Sequence, residues 1–514
     1  MQVKYSCHGI QKALLFLLLI TGINVETSAM AANWKQIDKL IDEQKLKEAE
    51  KAVVKIFDQA KNKDSRDWAR SLIKLTKIRI GLNSYETAVK ELKSAEWPKS
   101  SPDRTLVELY YAQALFAYLQ EYSWEIRQRE RTVTSDVVDL KAWTVEQIYE
   151  EALRTYGSIW SQRSKVETLN IESYKDFLTP NNFPKQIRST LRDLITYKTV
   201  EALQNTAFWR TEDSAQIYRL NLEQLLNGNS GLTDDSAFKN LKNHPIQIIT
   251  FLLSELKAWH QKKNQHEAAL EAGLSLHVAL HQLFNEPQDR KKIRTSLATY
   301  IEDSKKNPWT ARALGELANL MQEQGELIEA HKLAKDCMRD FPAEQAKKCA
   351  YLVRYIEQPD LRIISMRNDG LNKRSVLVEH KNLKDVYFRA YKISLSDFLT
   401  KSKEQIVPSY TQHQDMLKTK ADFSWTQPLP ATPDFRTHRT FVIPPFKEKG
   451  FYVIIASGAA NFRQDNNVIV STTLNVSDLV TIIDSNIQNH TITVVDGNSG
   501  EKVKDAEVKL YRYE

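Results

Sequence analysis

The chain changes character at Gln358-Pro359-Asp360. Before that point, from Trp34 to about Glu357, Ala, Leu, Lys, Glu and Gln dominate, glycine is scarce, and apolar residues recur at helical spacing. Beyond it, β-branched and aromatic residues come in short runs bounded by Asn, Asp, Gly and Pro. A helix repeats about every 3.6 residues and a strand about every 2, so neither pattern can occupy the other's structure. The fold class is therefore multidomain, α then β. The length of 514 residues agrees, because single cores stop growing beyond roughly 250–300 residues.

The clearest helical unit lies just before the switch. Leu314, Leu317, Ala318 and Met321 line one expected helix, Gly325 marks a turn, and Ala330, Ala334 and Cys337 line the next before Pro342. Its pattern and length resemble a tetratricopeptide repeat. The first helices read similarly, with Ile37, Leu40 and Ile41, then Leu46, Ala49, Val53 and Ile56. A further hairpin is expected from Leu72, Leu75 and Ile78 followed by Tyr85, Ala88 and Leu92. Between roughly Val133 and Asn307 long amphipathic helices are expected to continue without a fixed period. Residues 32–357 thus read as a TPR-like or irregular α-solenoid, an architecture whose broad concave face binds other chains.

Past the switch, Val376–Val378, Val386–Tyr391, Phe451–Ile455 and Val468–Thr472 read as strands of a sandwich spanning 358–480. Leu395 to His438 breaks the rhythm and reads as a long insertion, with a short helix near Ser396-Asp397-Phe398-Leu399. Residues 481–514 read as the start of a second sandwich: Thr491–Val495, the turn Asp496-Gly497-Asn498-Ser499-Gly500, and a strand over Ala506–Tyr511. Two strands alone are marginal in water, so the chain is expected to be the N-terminal portion of a longer product.

Residues 1–31 have the parts of a secretory signal: Lys4 and Lys12, the apolar run Ala13–Ile20, and small residues at Ala29 and Ala31 before the expected cleavage. The run is short of the ~20 apolar residues of a membrane helix, and Cys7 precedes it, where no lipid anchor is attached. The expected location is exported: periplasmic, associated with the outer envelope, or secreted. Removing Lys4, Lys12 and Glu26 takes one unit from a net charge of +7 in which 65 acids interleave with 72 bases. Such a mixed surface is not a nucleic-acid footprint. Cys337 and Cys349 remain, and an even pair in an exported chain is a disulfide candidate. Two buried free thiols are the alternative, because spacing does not show that the two side chains reach each other.

Constellations that could carry chemistry are incomplete. His277 and His281 stand four apart in a helical stretch, as two metal ligands would, but Val278 stands where a gluzincin needs glutamate. Ser71 and Lys74 have the spacing by which lysine activates serine in penicillin-binding enzymes, without a following Lys-Thr-Gly. Trp124, Arg127, Arg129 and Arg131 interleave an aromatic with bases, yet Glu125 and Glu130 intervene. The reading implies no enzyme, no catalytic, cofactor-binding or metal residues, and no cofactor.

One phrase is more specific. Lys381-Asn382-Leu383-Lys384-Asp385-Val386-Tyr387-Phe388-Arg389-Ala390-Tyr391 resembles the first macroglobulin-type strands of the bacterial alpha-2-macroglobulin family. Gly450-Phe451-Tyr452-Val453 resembles a later strand of that domain, and Asn475-Val476-Ser477-Asp478-Leu479 its exit. Val495-Asp496, Ser499-Gly500 and Val503 through Leu510-Tyr511 resemble the opening of the family's next domain. Asn182-Phe183-Pro184, Arg188 and Leu191-Arg192-Asp193 resemble the helical region of its large envelope members. The resemblance implies Ig- or fibronectin-like macroglobulin sandwiches, protein partners such as proteases or envelope proteins, and an endopeptidase-inhibitor or protease-trapping role for the whole product. The family's bait segment and Cys-Gly-Glu-Gln-type thioester lie downstream, and neither Cys337 nor Cys349 stands in such a motif. The alternative is an exported scaffold or adhesion module that binds protein partners through the helical array.

Overall fold

A computed structural model describes residues 29–130, 139–179, 181–234, 236–365, 370, 374–396, 410–485 and 490–509. A helical N-terminal portion is followed by antiparallel sheets, as the change in periodicity requires. The helices are α1 (Ala29–Asp42), α2 (Leu46–Ala60), α3 (Ser65–Gly81), α4 (Tyr85–Ser94), α5 (Asp103–Glu121), α6 (Ser123–Ile126), α7 (Val145–Ser161), α8 (Leu191–Gln204), α9 (Thr211–Gln216), α10 (Leu222–Leu226), α11 (Pro245–Lys262), α12 (His266–Leu283), α13 (Pro287–Glu302), α14 (Thr310–Glu323), α15 (Leu327–Asp340) and α16 (Lys347–Glu357). Ala29 and Ala31 lie in the first turn of α1; the rest of the expected signal lies outside the described residues. No described helix is long and apolar enough to cross a membrane. The chain divides into two compact units between Ala313 and Leu314, inside α14.

In the first unit, Trp34 and Ile37 of α1, Ala49, Val53 and Ile56 of α2, and Leu75 and Ile78 of α3 close one small core. A much larger one surrounds α5 and α12, which are buried on most sides: α5 hides Leu106, Leu109, Tyr111, Leu115, Phe116 and Tyr118, and α12 hides Leu270, Leu274, Leu276, Leu280 and Leu283. A helix apolar on most of its circumference belongs in the centre of an array. Helix starts follow local chemistry. Asp64 caps α3 by accepting from the amides of Arg66 and Asp67, Thr144 and Gln147 form a capping box at α7, and Thr190 and Asp193 form one at α8.

The expectation that long helices carry on without a fixed period from Val133 to Asn307 is met by α7, α8, α11, α12 and α13 and corrected between them. Among the described residues, 163–190 and 205–244 hold only short turns of helix, the 3-10 segments and α9 and α10. Asn181-Asn182-Phe183-Pro184 and Asn227-Gly228-Asn229-Ser230-Gly231 are turn formers, and Gly228 and Gly231 have φ of +78° and +72°. Apolar spacing in these stretches reflects burial against the helices, not helix.

In the second unit, α14–α16 precede seven strands in two antiparallel sheets. These are β1 (Asp360–Ser365), β2 (Val376–Lys381), β3 (Asp385–Ile393), β4 (Phe423–Pro428), β5 (His438–Val442), β6 (Gly450–Ser457) and β7 (Ile469–Val476), with α17 (Tyr410–Leu417) between β3 and β4. One sheet has the order β1-β2-β5 and the other β4-β3-β6-β7. They enclose a shared core of Leu361, Ile363, Val376, Val378, Val386, Phe388, Ala390, Val442, Tyr452, Ile454, Leu474 and Val476, so the arrangement is a sandwich. Phe446 is fully buried in it and stacks on Tyr452 with ring centroids 3.9 Å apart.

Two readings of this region change. The stretch from Leu395 to His438 is not only an insertion, because it contributes β4, which pairs with β3 from Asp385↔Pro428 to Ala390↔Phe423. The expected helix near Ser396 falls, from Asp397 on, outside the described residues. The run Phe451–Ile455 does not alternate, since β6 is buried on both faces. Its outer face, with Val453 and Ile455, is covered by Phe462 and by Met416 and Leu417 of α17. Beyond β7, β8 (Leu479–Ser485) and β9 (His490–Asp496) form a separate two-stranded ribbon, and residues 506–509 are not strand. Cys337 of α15 and Cys349 of α16 form a disulfide.

Truncating Phe446 to alanine removes a fully buried ring that touches both Tyr452 and Phe423. Chemical denaturation of Phe446→Ala is expected to show the β-containing unit destabilised by about 3–5 kcal/mol, with the helical unit's transition unmoved.

Candidate functional site

The loop before α8 is built around buried charge. Arg188 has a left-handed φ of +52°. Its guanidinium lies 3.6 Å from the Tyr197 ring centroid and 4.2 Å from that of Phe183, and donates to Glu271 of α12 at 2.6 Å. Trp309 Nε1 donates to the other Glu271 oxygen at 2.7 Å. Arg192 lies over Trp259 and donates to Glu167 at 2.8 Å and to Glu255. Asp193 is fully buried; it accepts from Thr190 at α8's start and meets His260 Nε2 of α11 at 2.8 Å. Buried charges persist when paired in this way. The phrase Asn182-Phe183-Pro184…Arg188…Leu191-Arg192-Asp193 thus supplies the centre of this network.

Against that loop a groove of about 1310 Å³ opens between the end of α11, the start of α12 and the end of α13 with its following turn. Gln186 and Ser189 contribute from the loop, Lys257, Gln261, Asn264 and Gln265 from α11 and its exit, and Tyr300 and Asn307 from the far wall. Gln265 turns its carboxamide to His260 Nδ1 at 2.7 Å, which links the groove to the buried network. Lys257 Nζ stands 4.4 Å from the Tyr300 ring centroid, and burial holds its ammonium below the ordinary lysine pKa. The Tyr300 hydroxyl donates to the Ala269 carbonyl at 3.3 Å, and burial, then Glu271, pushes its pKa upward.

His277 packs behind Tyr300, rings nearly parallel with centroids 5.4 Å apart. Its Nδ1 is 2.8 Å from the Gly273 carbonyl, which can only accept, so Nδ1 carries the proton and Nε2 accepts from Ser296 at 3.1 Å. Gly273 leaves the space for this stack, because a Cβ there would lie 2.3 Å from Tyr300 Oη. Burial, reinforced by the Lys257 charge, brings His277 down to about 4. Burial with Arg290 and Arg294 does the same for His281.

The residues singled out in the sequence take other roles. His277 and His281 do not share a third ligand: among the described residues no group of three or more His, Cys, Asp or Glu could hold a metal. Ser71 donates to its own helix at Asp67 O, 2.7 Å, while Lys74 reaches Asp38 at 2.8 Å, so the two do not form a dyad. Arg127 donates to the Ala207 carbonyl, and Arg129 to the Leu140 and Trp143 carbonyls and to Glu125. These bases tie loops down; Trp124 is 79% exposed, and Arg131 lies outside the described residues. Lys257, Tyr300, Glu271 and His260 were not legible as a group, since they are spread over α11 to α13. The one local signal was Gly273, a glycine inside a helix, which marks a close approach.

No model of a known protein family matches the sequence, and no curated protein matches it either.

The buried histidines set a pH dependence. In the unfolded chain histidine titrates near 6.5, so between about 6.5 and 4 the unfolded state binds more protons than the folded one. Stability is therefore full above the unfolded pKa and falls as the pH drops towards 4, by up to about 3 kcal/mol for His277. Denaturant titrations at pH 7 and pH 4 are expected to show this loss in the helical unit and a smaller one in His277→Gln. At neutral pH, Gly273→Ala is expected to destabilise the same unit by about 1–3 kcal/mol by displacing Tyr300.

Proposed function

We propose that this chain is the N-terminal portion of a non-catalytic, exported envelope protein of the bacterial alpha-2-macroglobulin type, whose whole product inhibits or traps endopeptidases. The observation that carries the reading is where the family-like phrase Lys381–Tyr391 falls. Asn382 sits at the β2–β3 turn with a φ of +56°, a backbone that asparagine tolerates better than most residues. Its side chain donates to the Ile356 carbonyl at 2.8 Å, and its amide donates to Thr432 Oγ1 at 2.9 Å. Val386, Phe388 and Ala390 of the same phrase enter the sandwich core, and Gly450–Val453 begins β6, the neighbour of β3.

The strand order adds support. In an Ig constant-type sandwich the fourth strand pairs in the sheet of the first, second and fifth. Here β4 joins β3 instead, giving sheets of three and four strands, as in a fibronectin-like macroglobulin domain. The α1–α4 and α14–α16 hairpins with their small buried residues Ala49, Ala88, Ala318, Ala330 and Ala334 are TPR-like in this reading. Bait and thioester would lie in sequence beyond this chain, which supplies framework and partner-binding surface.

A second reading, an exported scaffold that recruits a protein partner, is favoured specifically by the polar groove beside α11–α13. The two are separated by expressing the product encoded with its downstream sequence and exposing it to a protease. The trap reading expects one cleavage, a faster-migrating species on native gels, and protection of large but not small substrates. Cleavage without protection overturns it. The 514-residue chain alone is expected to give no stoichiometric inhibition, and inhibition by it would place the activity here instead.

A further inference from the structure

The groove of the helical unit holds a preset cation. Lys257 pairs with no carboxylate among the described residues, and its ammonium rests on the Tyr300 ring. That ring is held from behind by His277 and by its own hydroxyl bond to Ala269. A partly desolvated ammonium without a counter-charge gains from meeting an anion, and a fixed ring keeps it aimed. The rest of the rim argues for which anion. Glu302 is tied to Lys305, and Glu267 and Asp303 share the rim with Lys306, so a polyanion such as nucleic acid finds no basic track. Gln186, Gln261 and Asn264 instead carry carboxamides with both donors and acceptors, the complement of peptide backbone.

We infer that this groove binds an extended segment of a partner polypeptide by a single carboxylate seated on Lys257, with the surrounding carboxamides taking the adjoining backbone. The inference rests on the scaffold reading and names the chemistry of its partner. The carboxylate is an Asp or Glu side chain of that segment, which leaves backbone on either side of it for the carboxamides.

A synthetic array of random peptides of about twelve residues distinguishes a side-chain carboxylate from a terminal one. Each peptide is presented with a free C-terminus, with an amidated C-terminus, and amidated with every Asp and Glu replaced by Asn and Gln. The full chain is expected to bind a subset that loses at least about tenfold in signal when its carboxylate is removed. Loss only on side-chain replacement is expected, and loss on amidation alone overturns the inference. Lys257→Met is expected to lose the same subset, Lys257→Arg to retain its carboxylate dependence, and Lys291→Met, outside the groove, to behave as the unaltered chain. Binding that ignores the carboxylate, or that persists in Lys257→Met, overturns the inference and leaves the scaffold reading standing. No binding to any peptide by the unaltered chain overturns both.

Discussion

A carboxylate that is fully shielded from water must be satisfied on all sides, and Asp193 sets much of the helical unit by that requirement. It closes the capping box at α8 and holds His260 at the far end of α11, so two helices distant in sequence are fixed at one point. Glu271 does the same for α12, receiving Arg188 from the loop and Trp309 from before α14. The irregular loop between them is therefore ordered by charge where it lacks regular backbone bonding. Its residues Gln186 and Ser189 form one side of the groove, and Gln265, bonded to His260, forms another. The groove is a by-product of how buried charge is neutralised.

What could be read in advance follows from this division of labour. The α-to-β switch was legible because period is a local property: α16 ends at Glu357 and β1 begins at Asp360, astride Pro359. Strands β2, β3 and β7 were legible because one of their faces is buried and the other is not. Strand β4 was missed because Phe423-Ser424-Trp425-Thr426 sits at a sheet edge with half-buried alternate residues, a weak signal inside a polar stretch. The irregular segments were misread as helix because tertiary burial, not local backbone preference, sets their apolar spacing. The groove residues left no pattern at all, for a lysine resting on a tyrosine some forty positions away is visible only once α11 and α13 are placed.

The border between the compact units obeys the same logic. Composition changes at Pro359, yet α15 and α16 belong with the sandwich. Asn382 at the β2–β3 turn donates to the Ile356 and Gln358 carbonyls at the end of α16. The stretch between β4 and β5 reaches the hairpin too: Arg436 donates to the Gly325 carbonyl at 2.9 Å, and Phe435 packs on His331 with centroids 4.5 Å apart. His331 and Lys335 in turn hold Glu357, the last residue of α16, whose carboxyl they keep below the ordinary value. A helix end leaves carbonyls without partners, and here the sheet's turns supply the donors. The last hairpin is thus bonded forward into the sandwich, and the second compact unit begins before the change in secondary structure.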